Sequence, residues 1–356
     1  MRIALISTPY LACPPANYGG TELIIHQLAD AYVKRGHEVL LYATADSRTR
    51  ATLKHCFDQP VWPPDPLIGM EHVTFAIQDI LKQAVPVDVV HGHDPVSMLM
   101  SPLLAGIPFV YTVHHAREDH LSQIYQRHSQ VRFVFISERQ RALELPLPNS
   151  SVIYHGLSPE AYPFSPEVGD YLVFLGRFAP YKGPLEAIAV ARKAGLPLCM
   201  GGRLHREDLA RDDAGFLQAL EEGLRQPGVA YLGAVGHARK VELLSHARAL
   251  LFPVRWEEPF GLVMIESMLC GTPVLAFEHG SVPELIEDGV TGFIVRDEAE
   301  MLARLQDVPG LDRARIRDEA VRRFSGGRMA EEYLALYASM LARRGTSHEV
   351  SESRFA

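Results

Sequence analysis

Two glutamates, Glu258 and Glu266, are separated by seven residues in the stretch RWEEPFGLVMIE that begins at Arg255. From 262 to 269 nearly every position is apolar, so a helix there is predicted to be buried on most of its surface, with Glu266 on the face of Leu262. A carboxylate in such surroundings is costly unless it is partnered. Two readings are open: an Arg or Lys holds Glu266 in a structural pair, or the hydroxyls of a ligand lying on the helix donate to it. Pro259 belongs at or just before the first turn, so the helix is predicted to begin near Phe260-Gly261. Free N–H groups at Phe260, Gly261 and Leu262, with the positive end of the helix dipole, form an anion site, and Gly261 lets a ligand come close to the backbone. Glu258 lies just outside that start.

A second group of charges is cationic. In GRFAPYKG, residues 176–183, Arg177 and Lys182 stand just ahead of a helix predicted over 185–193, whose first turn is marked by Pro184. Cations at that end oppose the helix dipole. An anion held between them and the helix end, as a diphosphate would be, resolves the conflict; two solvated surface cations are the alternative. The Walker order Gly-x4-Gly-Lys-Ser/Thr is absent. Gly19-Gly20 opens another predicted helix and either brings amides to a phosphate or sugar or makes an ordinary tight turn. No Gly-x-Gly-x-x-Gly occurs, which argues against a dinucleotide dehydrogenase. His91-Gly92-His93-Asp94 and Thr112-Val113-His114-His115 each end an apolar run. A histidine so placed can donate to a sugar hydroxyl, act as acid or base, or bind a metal. The alternate-residue His pair occurs in metal hydrolases, but the His-x-x-x-Asp-His continuation is missing. No Asp-x-Asp pair exists to clamp a metal diphosphate.

The elements that must position these residues read as α/β throughout. Short apolar runs predict strands over 2–7, 37–42, 87–91, 109–113 and 132–136, with a helix over 23–34 stopped by Gly36. Residues 157–170, rich in Pro, Ser and acids, read as a linker. Beyond it the alternation resumes, with strands over 171–175, 197–200, 249–252, 273–276 and 292–295. Such alternation predicts parallel sheets covered on both faces, with ligands at the carboxyl ends of strands. Every motif above follows a predicted strand. At 356 residues and 47% hydrophobic content the chain is long enough for two domains. With 35 Lys plus Arg against 43 Asp plus Glu, its formal charge of −8 argues against a general nucleic-acid or anionic-membrane surface. The four cysteines show no paired spacing, and with no signal peptide and no run near the ~20 apolar residues of a membrane span, a cytoplasmic protein with reduced thiols is expected. The polar tail after Arg344 is expected to fray.

Glu-x7-Glu enclosing Pro-Phe-Gly and followed by Gly271-Thr272-Pro273-Val274, together with Gly176-Arg177-x4-Lys182-Gly183, resembles the retaining glycosyltransferases of family four. The resemblance implies a GT-B fold, two Rossmann-like doubly wound domains facing across a cleft. An acceptor-side domain would span 1–165, a donor-binding domain 166–328, and a last helix over 329–344 would cross back to the first. It implies transfer of a sugar from a nucleoside diphosphate to an acceptor hydroxyl, with retention and without a metal. In that scheme Arg177 and Lys182 hold the diphosphate, Glu258 the sugar hydroxyls, the amides from Phe260 to Leu262 the sugar or β-phosphate, Glu266 the ribose, and His114 the sugar. Gly19 and Gly20 match the family's glycine loop, with Glu22 after it. Arg203 and His205 stand where its second-domain loop lines the nucleotide, and 231–235, ending at Val235, where the base meets backbone. His93, Asp94 and His115 fall on the acceptor side. The family's His-Asn-Gly segment appears as His155-Gly156-Leu157, a departure that touches any acceptor or hinge role there. UDP-glucose is the expected co-substrate, with GDP-mannose as runner-up, and the acceptor is a hydroxyl-bearing small molecule or glycan. A nucleotide-sugar 2-epimerase of the same fold and a non-catalytic nucleotide-sugar binder are the alternatives.

Overall fold

The computed structural model describes residues 1–104 and 106–352, with side chains to 343. It forms two compact units. Unit 1 comprises Met1–Pro15, Gly19–Gly156 and the chain from Gly326 onward; unit 2 comprises Ala16–Tyr18 and Leu157–Ser325. The division thus falls at 156/157 and 325/326, where the sequence placed it at 165/166 and 328/329.

Unit 1 is built on seven parallel strands, β1 Arg2–Ile6, β2 Glu38–Tyr42, β3 Thr52–Lys54, β4 Val89–Gly92, β5 Phe109–Thr112, β6 Arg132–Phe135 and β7 Ser150–Val152, in the order β3-β2-β1-β4-β5-β6-β7. Strands buried on both faces need near-continuous apolar runs. The inner strands have them, and Ile3, Ala4, Leu5 and Ile6 of β1 are fully buried. The strand order reverses between β1 and β4, which opens the crevice where α/β sheets take ligands. The last helix, Gly326–Glu352, packs within this unit through Tyr333 and Tyr337. It begins earlier than the sequence indicated and its backbone stays helical past Arg344, where fraying was expected; side chains there lie outside the described residues.

Unit 2 has six parallel strands, β8 Leu172–Leu175, β9 Leu198–Gly201, β10 Val229–Tyr231, β11 Ala249–Phe252, β12 Val274–Phe277 and β13 Gly292–Val295, ordered β10-β9-β8-β11-β12-β13. Here the reversal lies between β8 and β11, paired in register Ala249↔Leu172. The loop after β8 carries Arg177 and Lys182, and the loop after β11 carries Glu258, so the topology sets the cations and the first glutamate side by side. The stretch 157–170 is no free linker. Leu157 and Tyr162 are buried, and the Leu157 and Gly169 amides donate to Phe324 O (2.9 Å) and His246 O (2.7 Å). The cysteines are free thiols, and among the described residues no helix is long and apolar enough to cross a membrane.

Candidate functional site

In unit 2 the chain leaves β8 at Gly176 and enters the helix Pro184–Ala194 through Gly183, which takes the left-handed conformation at φ 73°. Only glycine fits there, because a Cβ would stand 2.1 Å from the Pro253 carbonyl oxygen. That close approach brings the end of the 176–183 loop against the loop leaving β11. Lys182 donates to Glu258 Oε2, and the Trp256 indole Nε1–H donates to the same oxygen at 2.6 Å. The Lys182 ammonium also lies 4.8 Å from the Trp256 ring centroid, and Tyr181 packs beside that ring at 4.9 Å. Arg177 is exposed and meets hydroxyls, among them that of Tyr181 at 3.4 Å; among the described residues it has no carboxylate partner. The Glu258 backbone is pinned by the next loop, since a Cβ on Gly280 would stand 2.3 Å from the Glu258 nitrogen.

The buried helix runs Leu262–Leu269, capped by Gly261 at φ 79°, so it starts after the Phe260-Gly261 position expected from the sequence. Phe260 lies before the cap as a buried anchor, stacking edge-on with Phe324 and accepting Ser281 Oγ at 2.7 Å through its carbonyl. Glu266 is 3% exposed and accepts on Oε1 from both Lys240 and the Tyr162 hydroxyl, the latter at 2.9 Å. Of the two readings left open for Glu266, the lysine pair is present. Backbone bonds tie the strand-end loops together: Gly176 N–H donates to Gly201 O at 3.0 Å and Gly202 N–H to Gly233 O at 2.8 Å. The loops carrying Arg177, Arg203 and Val235 therefore lie along one edge of the sheet. Arg203 is exposed, and His205 lies 3.8 Å from Asp208.

In unit 1 the histidines gather at the ends of β4 and β5. His91 is fully buried, its Nε2 at 2.8 Å from Thr112 Oγ1 and its Nδ1 at 2.7 Å from the Tyr337 hydroxyl. His93 stacks on it at 4.0 Å between ring centroids, and His93 Nδ1 is 2.9 Å from His114 Nε2. His155 stacks on His114 at 5.2 Å. Burial, reinforced by the neighbouring rings, holds His91, His93 and His155 well below the usual imidazole range and His114 at about 3. These imidazoles are neutral at pH 7. Asp94 caps the helix Pro95–Leu99 by accepting Val96 N–H at 2.8 Å and Ser97 N–H at 3.1 Å, and burial pushes its carboxyl up to about 6. His115 spends both ring nitrogens inside the unit, on Ala116 O at 2.7 Å and the Tyr125 hydroxyl at 2.8 Å. Gly19 caps the helix Gly20–Lys34, and Glu22 in its first turn accepts Thr8 Oγ1–H at 2.6 Å. Among the described residues no cluster of three His, Cys, Asp or Glu side chains could hold a metal ion.

Residues 163–307 match the family model "Glycosyl transferases group 1" and residues 18–160 match "Glycosyltransferase Family 4". The two matches, one in each half of the chain, support a glycosyltransferase of the family four type. Alpha-maltose-1-phosphate synthase of Mycolicibacterium smegmatis is 25% identical over 403 aligned residues, covering 96% of this chain and 100% of the relative. Among solved structures, AviGT4, a glycosyltransferase involved in avilamycin A biosynthesis, superposes with a TM-score of 0.74 at 25% identity, covering 96% of this chain and 98% of that one. Sucrose-phosphate synthase from Thermosynechococcus elongatus gives 0.78 at 18% identity over 96% and 100%. The two-sheet architecture and these neighbours give the chain the two-domain, Rossmann-like GT-B fold.

Of the donor-side residues expected from the sequence, Arg177, Lys182, Arg203, Val235, Glu258, Phe260, Gly261, Leu262 and Glu266 lie in unit 2, in the loops and the helix that follow its strands, whereas Gly19 and Gly20 lie in unit 1, as do His93, Asp94, His114 and His115 after β4 and β5. The sequence missed the residues that hold them. Trp256 reads as loop, yet it touches both Lys182 and Glu258. Tyr162 was hidden in the Pro-rich segment. Lys240 occupies the first turns of the helix His237–His246, a cation where the dipole disfavours one, which is the signal that had marked Arg177 and Lys182.

Proposed function

We propose that this glycosyltransferase is a retaining hexosyltransferase that moves glucose from UDP-glucose to an acceptor hydroxyl without a metal. The observation that carries the reading is the set of charges around two helix starts: Arg177, without a carboxylate partner among the described residues, and Lys182 bridging toward Glu258 at the mouth of the Gly183-capped helix. An ammonium has three donors, so Lys182 can keep Glu258 and still meet a phosphate oxygen. In this reading the bond from the anomeric carbon to the diphosphate breaks as the acceptor oxygen bonds to that carbon on the same face, and the departing phosphate oxygen takes the acceptor proton. Arg177, Lys182 and the two helix ends stabilise the charge on the leaving group, each well-placed donor contributing ~2.7–4 kcal/mol. Glu258 accepts from sugar hydroxyls and Glu266 from the ribose; the contact of His114 to the sugar rests on the resemblance alone. Glucose rests on the resemblance together with the maltose and glycogen named in two relatives.

Calorimetric titration of the purified chain with UDP, GDP and ADP in EDTA tests this. Micromolar binding of UDP, about −8 kcal/mol, abolished by Lys182→Ala, is the expected result. Preferential binding of GDP overturns the donor assignment. Binding that returns only when a divalent metal is added overturns metal independence, and no binding of any of the three under either condition overturns the donor site.

A further inference from the structure

The two glutamates are held in the same way. Each receives a lysine and a neutral donor on a single oxygen, Lys182 and the Trp256 indole on Glu258 Oε2, Lys240 and the Tyr162 hydroxyl on Glu266 Oε1. The other oxygen, Glu266 Oε2, carries no hydrogen bond among the described residues. A carboxylate that has one oxygen saturated by two donors is fixed in rotation and keeps two lone pairs for something else.

Both donors are held in place by further contacts. Lys240 lies in the opening turns of its helix, in which the first turn has no acidic residue, so its charge opposes the dipole and is offset by Glu266. Tyr162 is anchored from the far side. Arg317 donates to the Tyr162 carbonyl, to Leu269 O at the end of the Glu266 helix, and to Pro159 O at 3.2 Å, tying the tyrosine backbone to the helix it serves. Burial and the nearby Glu266 carboxylate push the phenol pKa upward, so its hydroxyl keeps the proton and donates.

We propose that Tyr162 and Lys240 are positioning residues that occupy Glu266 Oε1 so that Oε2 is presented to the vicinal hydroxyls of the donor ribose. This rests on the assignment of unit 2 as the donor nucleotide site. Neither residue reacts; their effect is read as discrimination between a ribose and a deoxyribose.

The test is calorimetric titration of the full chain with whichever nucleoside diphosphate binds, and with its 2′-deoxy and 3′-deoxy forms, for the wild type, Tyr162→Phe, Lys240→Met, Lys240→Arg and Glu266→Gln. The wild type is expected to prefer the ribonucleotide about tenfold, the worth of one hydrogen bond to a charged group. Tyr162→Phe and Lys240→Met shrink that preference at least threefold in protein still folded at the assay temperature, Lys240→Met with a lowered melting temperature because buried Glu266 loses its cation, and Lys240→Arg retains the preference. If both variants weaken ribo and deoxy forms by equal factors while Glu266→Gln abolishes the preference, Tyr162 and Lys240 are structural and the proposal is overturned with the ribose assignment intact. If Glu266→Gln leaves the preference unchanged, the ribose assignment itself falls, and the proposal with it.

Discussion

Replacing Trp256 by phenylalanine removes one hydrogen-bond donor and leaves most of an aromatic face in place. The indole Nε1–H reaches Glu258 Oε2 at 2.6 Å while the ring lies under the Lys182 ammonium at 4.8 Å, so the two contributions separate in a single substitution. A hydrogen bond to a charged acceptor is worth roughly 1.5–3 kcal/mol. Expressed fully in the barrier, that is about 10- to 150-fold in rate. Glu258 keeps Lys182, so the lower end, about tenfold in kcat/KM, is expected. Trp256→Leu removes the face as well, and loss of the cation–π contact, ~0.5–2 kcal/mol, adds up to about another 30-fold. The indole is half-buried, so both variants should fold, and a thermal melt checks that. The assay is release of nucleoside diphosphate from the donor sugar under steady-state conditions. A Trp256→Phe enzyme with wild-type kcat/KM beside a crippled Trp256→Leu enzyme refutes the argument that the indole N–H aims Glu258.

Lys182→Ala should lower turnover on the order of 100-fold or more, the scale of one lost donor to developing charge, and near-normal turnover would remove the diphosphate assignment. Gly183→Ala and Gly195→Ala form a paired test of close approach: both glycines have positive φ, 73° and 65°, but a Cβ meets the Pro253 carbonyl only at Gly183. Gly195→Ala should cost about 1–2 kcal/mol and Gly183→Ala distinctly more by urea denaturation; equal costs would contradict the packing. Acid should destabilise the chain early. His91, His93 and His155 are held well below the usual imidazole range, His72 at about 4 and His114 at about 3, so all stay neutral when folded while the unfolded chain takes up protons near pH 6.5. The unfolded state binds more protons, so stability falls as pH drops below about 6.5, by up to about 1.4 kcal/mol per pH unit for each histidine. Asp94 works in the opposite direction, its raised pKa of about 6 meaning that the folded state binds its proton first. Burial raises the Glu22 carboxyl as well, but two carboxyls against these five histidines leave the net slope downward, and a urea midpoint that is flat from pH 7 to 5 would refute the burial of the cluster. Asp94→Asn keeps a good helix cap and removes a buried charge, so it should raise the midpoint at pH 8 by more than at pH 5.

What could be read in advance follows the burial of each element. The inner strands β1, β4, β5, β8, β11 and β12 announce themselves because a strand covered on both faces must be apolar along its length. Strands β3, β7 and β10 were missed; each is three residues long, sits at a sheet edge and is half-exposed, so it carries no such run. Tyr162 was misplaced for a related reason: a single buried aromatic in a segment of Pro, Ser and acids gives no periodicity, and only the fold reveals that Arg317 and Glu266 hold it. The charged pairs divide more instructively. Glu266, Arg177 and Lys182 were legible because each violates a local rule, a carboxylate on a buried helix or a cation at a helix start, and Glu258 through its seven-residue spacing from Glu266. Lys240 violates the same rule beside Arg239 in His237-Ala238-Arg239-Lys240, and the helix dipole alone would have marked it as a residue whose partner had to come from elsewhere. Arg239 finds its partner one turn away, at Glu242, on the surface. Lys240 reaches Glu266 across 26 residues, and that distance in sequence is what hid the pair. Local conflict identifies which charges need a partner; only the order of the strands, β8 beside β11 with β12 next, decides which partners are within reach.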